Sequence, residues 1–218
     1  MRQRLRLLMI GAAFGLCAFA QEWPVGDVFF GYSFVRANSA RDIPAFTNNG
    51  GVGTLAINVN NHIAIEADFG GYHNGNINNK EADTTLASFL FGPRFSLGRS
   101  RTFDPYFHVL IGGSHISSSI AKSSVLLPQP LTLPAGSQAS PCGDRYCTSQ
   151  SNFAMAAGGG IDIRLTKYML LRPVQVDYFL TRFQDLGFAA VLFGTPSQNR
   201  IQNNLRFAAG ITFHFGFE

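Results

Sequence analysis

Two-residue alternation between apolar and polar side chains is the feature that most restricts what this chain can fold into. Over residues 203–217, Leu205, Phe207, Ala209, Ile211, Phe213, Phe215 and Phe217 share one parity. Asn204, Arg206, Ala208, Gly210, Thr212, His214 and Gly216 share the other. Successive side chains of an extended strand point to opposite faces, so the segment predicts a strand with one greasy and one polar face. Seven earlier segments read the same way, at 28–35, 53–60, 62–72, 84–97, 104–114, 153–165 and 169–183. Their apolar parity includes Phe30, Tyr32, Ile65, Phe69, Phe91, Phe107 and Ile161, and their polar parity includes Glu66, Asp68, Arg94, His108, Asp162, Arg164, Gln175 and Asp177. The segments suit the roughly 9–11 residues with which a tilted strand crosses a bilayer.

Composition decides where such strands reside. Charged residues make up 14% of the chain and hydrophobic residues 46%, with 21 Phe, against about 25% charged in a soluble domain. Beyond the N-terminus no apolar run reaches the ~18 residues of a membrane helix. A β-barrel in lipid and a soluble β-sandwich remain. Were the polar parity turned to hydrocarbon, each Arg at mid-depth would cost about 2–4 kcal/mol. Glu66, Asp68, Arg94, Asp162, Arg164, Asp177 and Arg206 together would exceed a typical stability of about 5–15 kcal/mol. The polar parity is therefore assigned to an enclosed interior, where acids and bases pair, and the apolar parity to lipid. His108, Gln175, Asn204 and His214 complete this expected lumen network. Arg172 and Arg182 fall on the outer parity of their strand, which places them at the two water interfaces with their stems along the wall; Pro173 falls on the inner parity. Inward Phe29, Leu90, Leu110 and Phe179 indicate a filled rather than open interior.

The connections alternate in length. Residues 36–51, 73–83, 115–152 and 184–202 form long ones, and 60–61, 98–103 and 165–168 short ones. An even count of strands with long loops at one end and short turns plus both termini at the other predicts a closed, antiparallel up-and-down transmembrane barrel of about eight strands, an all-β fold. The loop at 115–152 is longer than ordinary connections, which marks it as functional, partly structured or disordered.

Residues 1–20 read as a cleaved secretory signal. MRQRLR is basic, LLMIGAAFGLCAF is apolar, and Ala18-Phe19-Ala20 forms a small-x-small site before Gln21. The expected cleavage between Ala20 and Gln21 leaves 21–218 as a single barrel domain. Leu16 before Cys17 argues against a lipoprotein signal. The formal charge of +4 shrinks once Arg2, Arg4 and Arg6 are removed, and with no basic cluster no nucleic-acid partner is expected. Export permits disulfides. Cys142 and Cys147 are expected to form one, because two thiols are too few for a metal site and their spacing is not that of a CxxC redox pair.

Catalytic, cofactor and metal sites are not expected. His115 lies near Ser114, Ser117, Ser118 and Ser119, a combination open to surface lipid chemistry, yet no acid stands at a spacing that commits the geometry. Glu66 and Asp68 suit an acid/base pair or salt-bridge partners, and the second reading is preferred. Gly158-Gly159-Gly160 and the stretch 48–53 lack the following helix of a phosphate loop; the latter reads as a loop entering a strand.

The stretch from Gln202 to Gly216, QNNLRFAAGITFHFG, resembles the closing strand of OmpA-like outer-membrane barrels. Leu171-Arg172-Pro173-Val174-Gln175-Val176-Asp177-Tyr178 resembles their penultimate strand. The resemblance covers the layout of the whole mature chain and the motif of these two strands. It implies an eight-stranded barrel domain alone, in the outer membrane of a Gram-negative-type bacterium. It also implies outer-membrane lipid and the barrel-assembly machinery as partners. In that family the last strand ends in an aromatic residue; here Glu218 follows Phe217. The implied roles are membrane support, surface interaction with an extracellular ligand through the long loops, or a narrow passive pore. An outer-leaflet lipid-modifying enzyme and a soluble lipocalin-like carrier are the other readings.

Overall fold

A computed structural model describes residues 25–37, 46–75, 82–97, 102–124, 140–184 and 199–216. The expected signal, its Ala20–Gln21 junction, Phe217 and Glu218 lie outside the described residues. The strands are β1 (Gly26–Ala37), β2 (Phe46–Asn58), β3 (Ile63–Asn74), β4 (Ala82–Ser96), β5 (Phe103–Ala121), β6 (Ser140–Cys142), β7 (Arg145–Arg164), β8 (Met169–Gln184) and β9 (Asn199–Phe215). Consecutive strands pair antiparallel, except that β5 pairs with β7 and β6 is a three-residue addition to β7. β1 pairs with β9 along its whole length, so eight long strands close on themselves. Among the described residues, closure leaves the eight-stranded wall itself without a sheet edge, which is what allows a strand-built wall to stand in hydrocarbon.

One end carries the tight connections. Asn60 Oδ1 accepts hydrogen bonds from the amides of His62 and Ile63, both at 2.8 Å. Thr166 Oγ1 accepts from those of Tyr168 (3.2 Å) and Met169 (3.0 Å). These side chains reproduce turn hydrogen bonds locally, which is why Asn and Thr stand there. The alternation works as expected around the wall: Phe30, Ile65 and Ile111 are more than half exposed, while Phe29, Leu90, Leu110 and Phe179 are fully buried inside.

Three expectations need correction. First, 115–152 is not one long loop. β5 continues to Ala121 and β7 starts at Arg145, and the two pair throughout, His115 opposite Ser151 and Ser119 opposite Cys147. Outward residues here are His115, Ser117 and Ser149, whereas Ile116 and Ile120 are buried inside. Above the apolar belt the outer face meets water, so the apolar parity moves inward and the serine-rich text no longer reads as a membrane strand. Second, 48–53 lies within β2 rather than in a loop. Gly50 is required where strands crowd: a Cβ there would collide with the Gly71 carbonyl.

Third, Arg172 points inward and is fully buried, and Pro173 points outward. Across β7 and β8, Ile161 faces Val174 but Ile163 faces Leu171. Across β8 and β9, Arg172 faces Gly210 but Gln175 faces Ala208. One extra residue in β8 forms a bulge, which exposes both Pro173 and Val174 and shifts the parity. Proline, which has no amide hydrogen to give a ladder, is tolerated in a strand at such a site. Arg182 stays on the outer face.

Cys142 and Cys147 form a disulfide with Cα atoms 5.9 Å apart, linking β6 to β7 around a turn in which Gly143 has φ 62°. The bridge lies beyond the span where β7 pairs with β8, which begins at Ala154. Replacing both cysteines by serine is expected to lower the barrel's unfolding free energy by no more than about 2 kcal/mol, the loop-closure value for so short a loop, while accelerating tryptic cleavage at Arg145. Equal cleavage rates with and without the bridge would show that it does not order this turn.

Candidate functional site: the occluded lumen

The inner face brings together side chains that the sequence scatters over nearly the whole chain. Nearest the turn end, Asp27 Oδ1 contacts His214 Nδ1 at 2.6 Å and accepts from Asn58 Nδ2 at 3.3 Å. Above it Asp162 is gripped by two guanidinium groups. Arg172 donates through Nε to Oδ1 (2.7 Å) and through Nη2 to Oδ2 (2.9 Å), and Arg94 Nη2 donates to Oδ2 at 2.8 Å. The planar fork of arginine matches a carboxylate in this two-point manner. The β8 bulge supplies the geometry, since it turns Arg172 toward Asp162 on the neighbouring strand.

Tyr106 lies against both cations. The Arg94 guanidinium carbon is 4.0 Å and that of Arg172 4.5 Å from its ring centroid, and Arg172 also lies 4.1 Å from the Phe29 ring. Such contacts give a desolvated cation an aromatic face in place of water. Gln175 relays the network upward: its Oε1 accepts from Tyr106 OH (2.7 Å) and Arg172 Nη1 (2.9 Å), and its Nε2 donates to Asp177 Oδ2 (2.9 Å). Asp177 Oδ2 also accepts from Arg206 Nε at 2.8 Å, and Arg206 Nη1 donates to Asp68 Oδ1 at 2.7 Å. His108 bridges the last gap, with Nδ1 3.1 Å from Glu66 Oε1 and Nε2 2.9 Å from Asp177 Oδ1. Ionised carboxylates only accept, so both bonds form together when the ring carries both its protons.

Of the expected lumen residues, Glu66, Asp68, Arg94, His108, Asp162, Gln175, Asp177 and Arg206 thus meet in one network, and His214 reaches it through Asp27, 3.7 Å from Arg94. Asn204 stands apart, donating to Thr181 Oγ1 at 3.1 Å. Arg164 is half-buried at the turn end of β7. Asp27, Asn58, Tyr106 and Arg172 belong to the network and were not assigned to it from the sequence. Asp27 carries the inward parity of β1 and could have been found by extending that segment one residue. Arg172 could not, because the bulge breaks the phase.

Glu66, Asp68, His108, Arg172, Asp177 and Arg206 have no exposed surface, so water does not reach this level of the interior. On the loop side of the network the lumen is filled by Val35, Tyr72, Leu86, Leu90, Leu110, Ile116 and Phe179 with Ala154 and Ala156. Lower ions and upper hydrocarbon together occlude the barrel. Outside, His115 Nδ1 lies 2.8 Å from Ser151 Oγ. Ser114 and Ser118, considered from the sequence as partners, are buried on the inner face. Among the described residues no group of three or more His, Cys, Asp or Glu is arranged to hold a metal ion.

No protein-family model matches this sequence, and no curated protein matches it. Solved structures do resemble it. Ail, the attachment invasion locus protein of Yersinia pestis, aligns with TM-score 0.54 and 13% identity over 86% of this chain and 97% of that one. Neisserial surface protein A aligns with TM-score 0.54 and 10% identity over 87% and 97%. OprG, an outer membrane protein from Pseudomonas aeruginosa, aligns with TM-score 0.54 and 11% identity over 90% and 98%. At these identities the likeness is one of architecture: the chain has the fold of the small eight-stranded outer-membrane β-barrels.

Proposed function

We propose that the mature protein, residues 21–218 after removal of 1–20, stands in the outer membrane of a Gram-negative-type bacterium as a non-enzymatic barrel. Its roles are membrane support and surface interaction, not solute passage. The observation that carries this reading is the occluded lumen, closed by buried ion pairs on the turn side and by apolar side chains on the loop side. A barrel wall whose outer face is aromatic and branched is stable only where acyl chains cover it, since an exposed apolar area of that extent associates in water.

The loop end supports the surface role. β5 and β7 extend past the apolar belt as a paired ribbon. That ribbon is braced by the Arg145–Asp83 ion pair at 2.8 Å, by Lys122 5.6 Å from the Tyr146 ring centroid, and by the disulfide. Ail, of the same architecture, has also been solved with the heparin analogue sucrose octasulfate, and an extracellular ligand for this chain is part of the proposal. Outer-membrane lipid and the barrel-assembly machinery are its other expected partners.

Three measurements test the reading. The detergent-folded protein should migrate faster unheated than boiled, as a closed barrel does. In planar bilayers it should give no stepwise conductance; reproducible steps abolished by boiling would replace the plugged barrel with the narrow pore. Unchanged lipid A and phospholipid profiles in cells carrying His115→Ala are expected, and an altered profile would favour the lipid-modifying enzyme.

A further inference from the structure

The lipid-facing wall is indented along β2. A shallow, largely open apolar groove of about 670 Å³ is lined by Gly51 and Gly53 with Phe30, Leu55 and Phe69 around them. The two glycines are not explained by the chain itself. Neither has a positive φ, and a Cβ at either would meet its nearest neighbour at 3.7 Å, an ordinary contact. Glycine in a strand costs about 0.5–1 kcal/mol relative to alanine, and it recurs where another molecule comes close to the backbone.

The groove also has a polar, cationic mouth. Beyond Gly51 the outward residues are Asn49 and Thr47 on β2 and His73 on β3, and on β1 the series Tyr32, Phe34 ends at Arg36. Tyr32 pairs with Gly51; at about 3.4 Å per residue, Arg36 stands about 14 Å further toward the loop end. Its guanidinium is exposed, donates from Nη1 to Thr47 Oγ1 at 3.3 Å, and has no carboxylate partner among the described residues. A groove for hydrocarbon below an exposed guanidinium matches a lipid with a phosphate head, which arginine binds in a two-point, charge-assisted manner.

We infer that this groove holds an acyl chain of the phosphorylated glycolipid of the outer leaflet, lipid A, with Arg36 on its phosphate. The inference rests on the outer-membrane reading, because that lipid lies on the loop side of such a barrel. The mature chain is folded into phosphatidylcholine nanodiscs containing either diphosphoryl lipid A or phosphatidylglycerol, and lipids retained per barrel are read by native mass spectrometry. Wild type is expected to keep lipid A in preference to phosphatidylglycerol. Gly51→Leu/Gly53→Leu, which fills the groove from the lipid side, should lower that retention about tenfold. Arg36→Gln, which leaves the wall untouched, should lower it about threefold or more.

Retention equal in wild type and both variants, or equal for the two lipids, overturns the inference. So does a wild-type dimer that the leucine pair converts to monomer, since a second copy would then occupy the groove. The heat-dependent gel shift of the same samples separates the two readings. A shifting barrel with unselective lipid retention overturns the lipid site alone, whereas a wild type that never shifts overturns the membrane barrel as well.

Discussion

Asp177→Ala is expected to lower the unfolding free energy of the inserted barrel by about 3–5 kcal/mol, read as a shift of the urea midpoint in lipid vesicles. Asp177 accepts from Arg206 Nε, Gln175 Nε2 and the His108 ring. Its removal strips all three of an acceptor at a depth where water does not substitute. The loss is dominated by what remains: a buried guanidinium left with Asp68 alone and an imidazole left with Glu66 alone, each short of an acceptor and desolvated in advance by folding. Asp177→Asn separates the two contributions, because it keeps the volume and loses the charge. An effect close to that of Ala would assign the cost to electrostatics rather than to a cavity. Asn204→Ala, which breaks one neutral bond to Thr181, is the comparison at about 1 kcal/mol. If Asp177→Ala costs no more than that, the network contributes little and the apolar half of the lumen holds the barrel.

The strands were legible because lipid and lumen are chemically opposite solvents and a strand reports both at alternate residues. That signal identified which residues face inward: Glu66, Asp68, Arg94, Asp162, Asp177 and Arg206 are all buried inside. It could not tell which of them meet. The contact of Arg206 with Asp68 joins residues 138 positions apart through register and closure, neither of which one segment's alternation contains. The signal also assumes an unbroken phase. At Arg172-Pro173 it yielded an inner proline beside an outer arginine read as interfacial, which is the trace an inserted residue leaves in a period-two pattern. Beyond the belt it failed for a different reason. At Ser114–Ala121 the outer solvent becomes water, so Ile116 and Ile120 mark the inside, and the same alternation carries the reverse meaning.

That change of solvent along one strand can be measured directly. Ile111 and Ser117 lie on the same outward face of β5, six residues apart, with Ile111 56% exposed within the aromatic belt and Ser117 on the ribbon above it, beside Thr85 and Ser149. Ile111→Arg should reduce the stability of the barrel in vesicles by about 2–4 kcal/mol, because the guanidinium must either enter hydrocarbon or draw water and headgroups down to it. Ser117→Arg, roughly 20 Å further along at about 3.4 Å per residue, should change stability by less than about 1 kcal/mol. Both positions are outward and neither substitution crowds the interior, so packing does not distinguish them; depth does. Equal costs would mean that the two residues share one solvent, and the boundary drawn here between Ile111 and the serine ribbon would be misplaced. A neutral Ile111→Arg in protein that disperses without detergent would go further, since a wall that tolerates an arginine among its aromatics is not facing acyl chains.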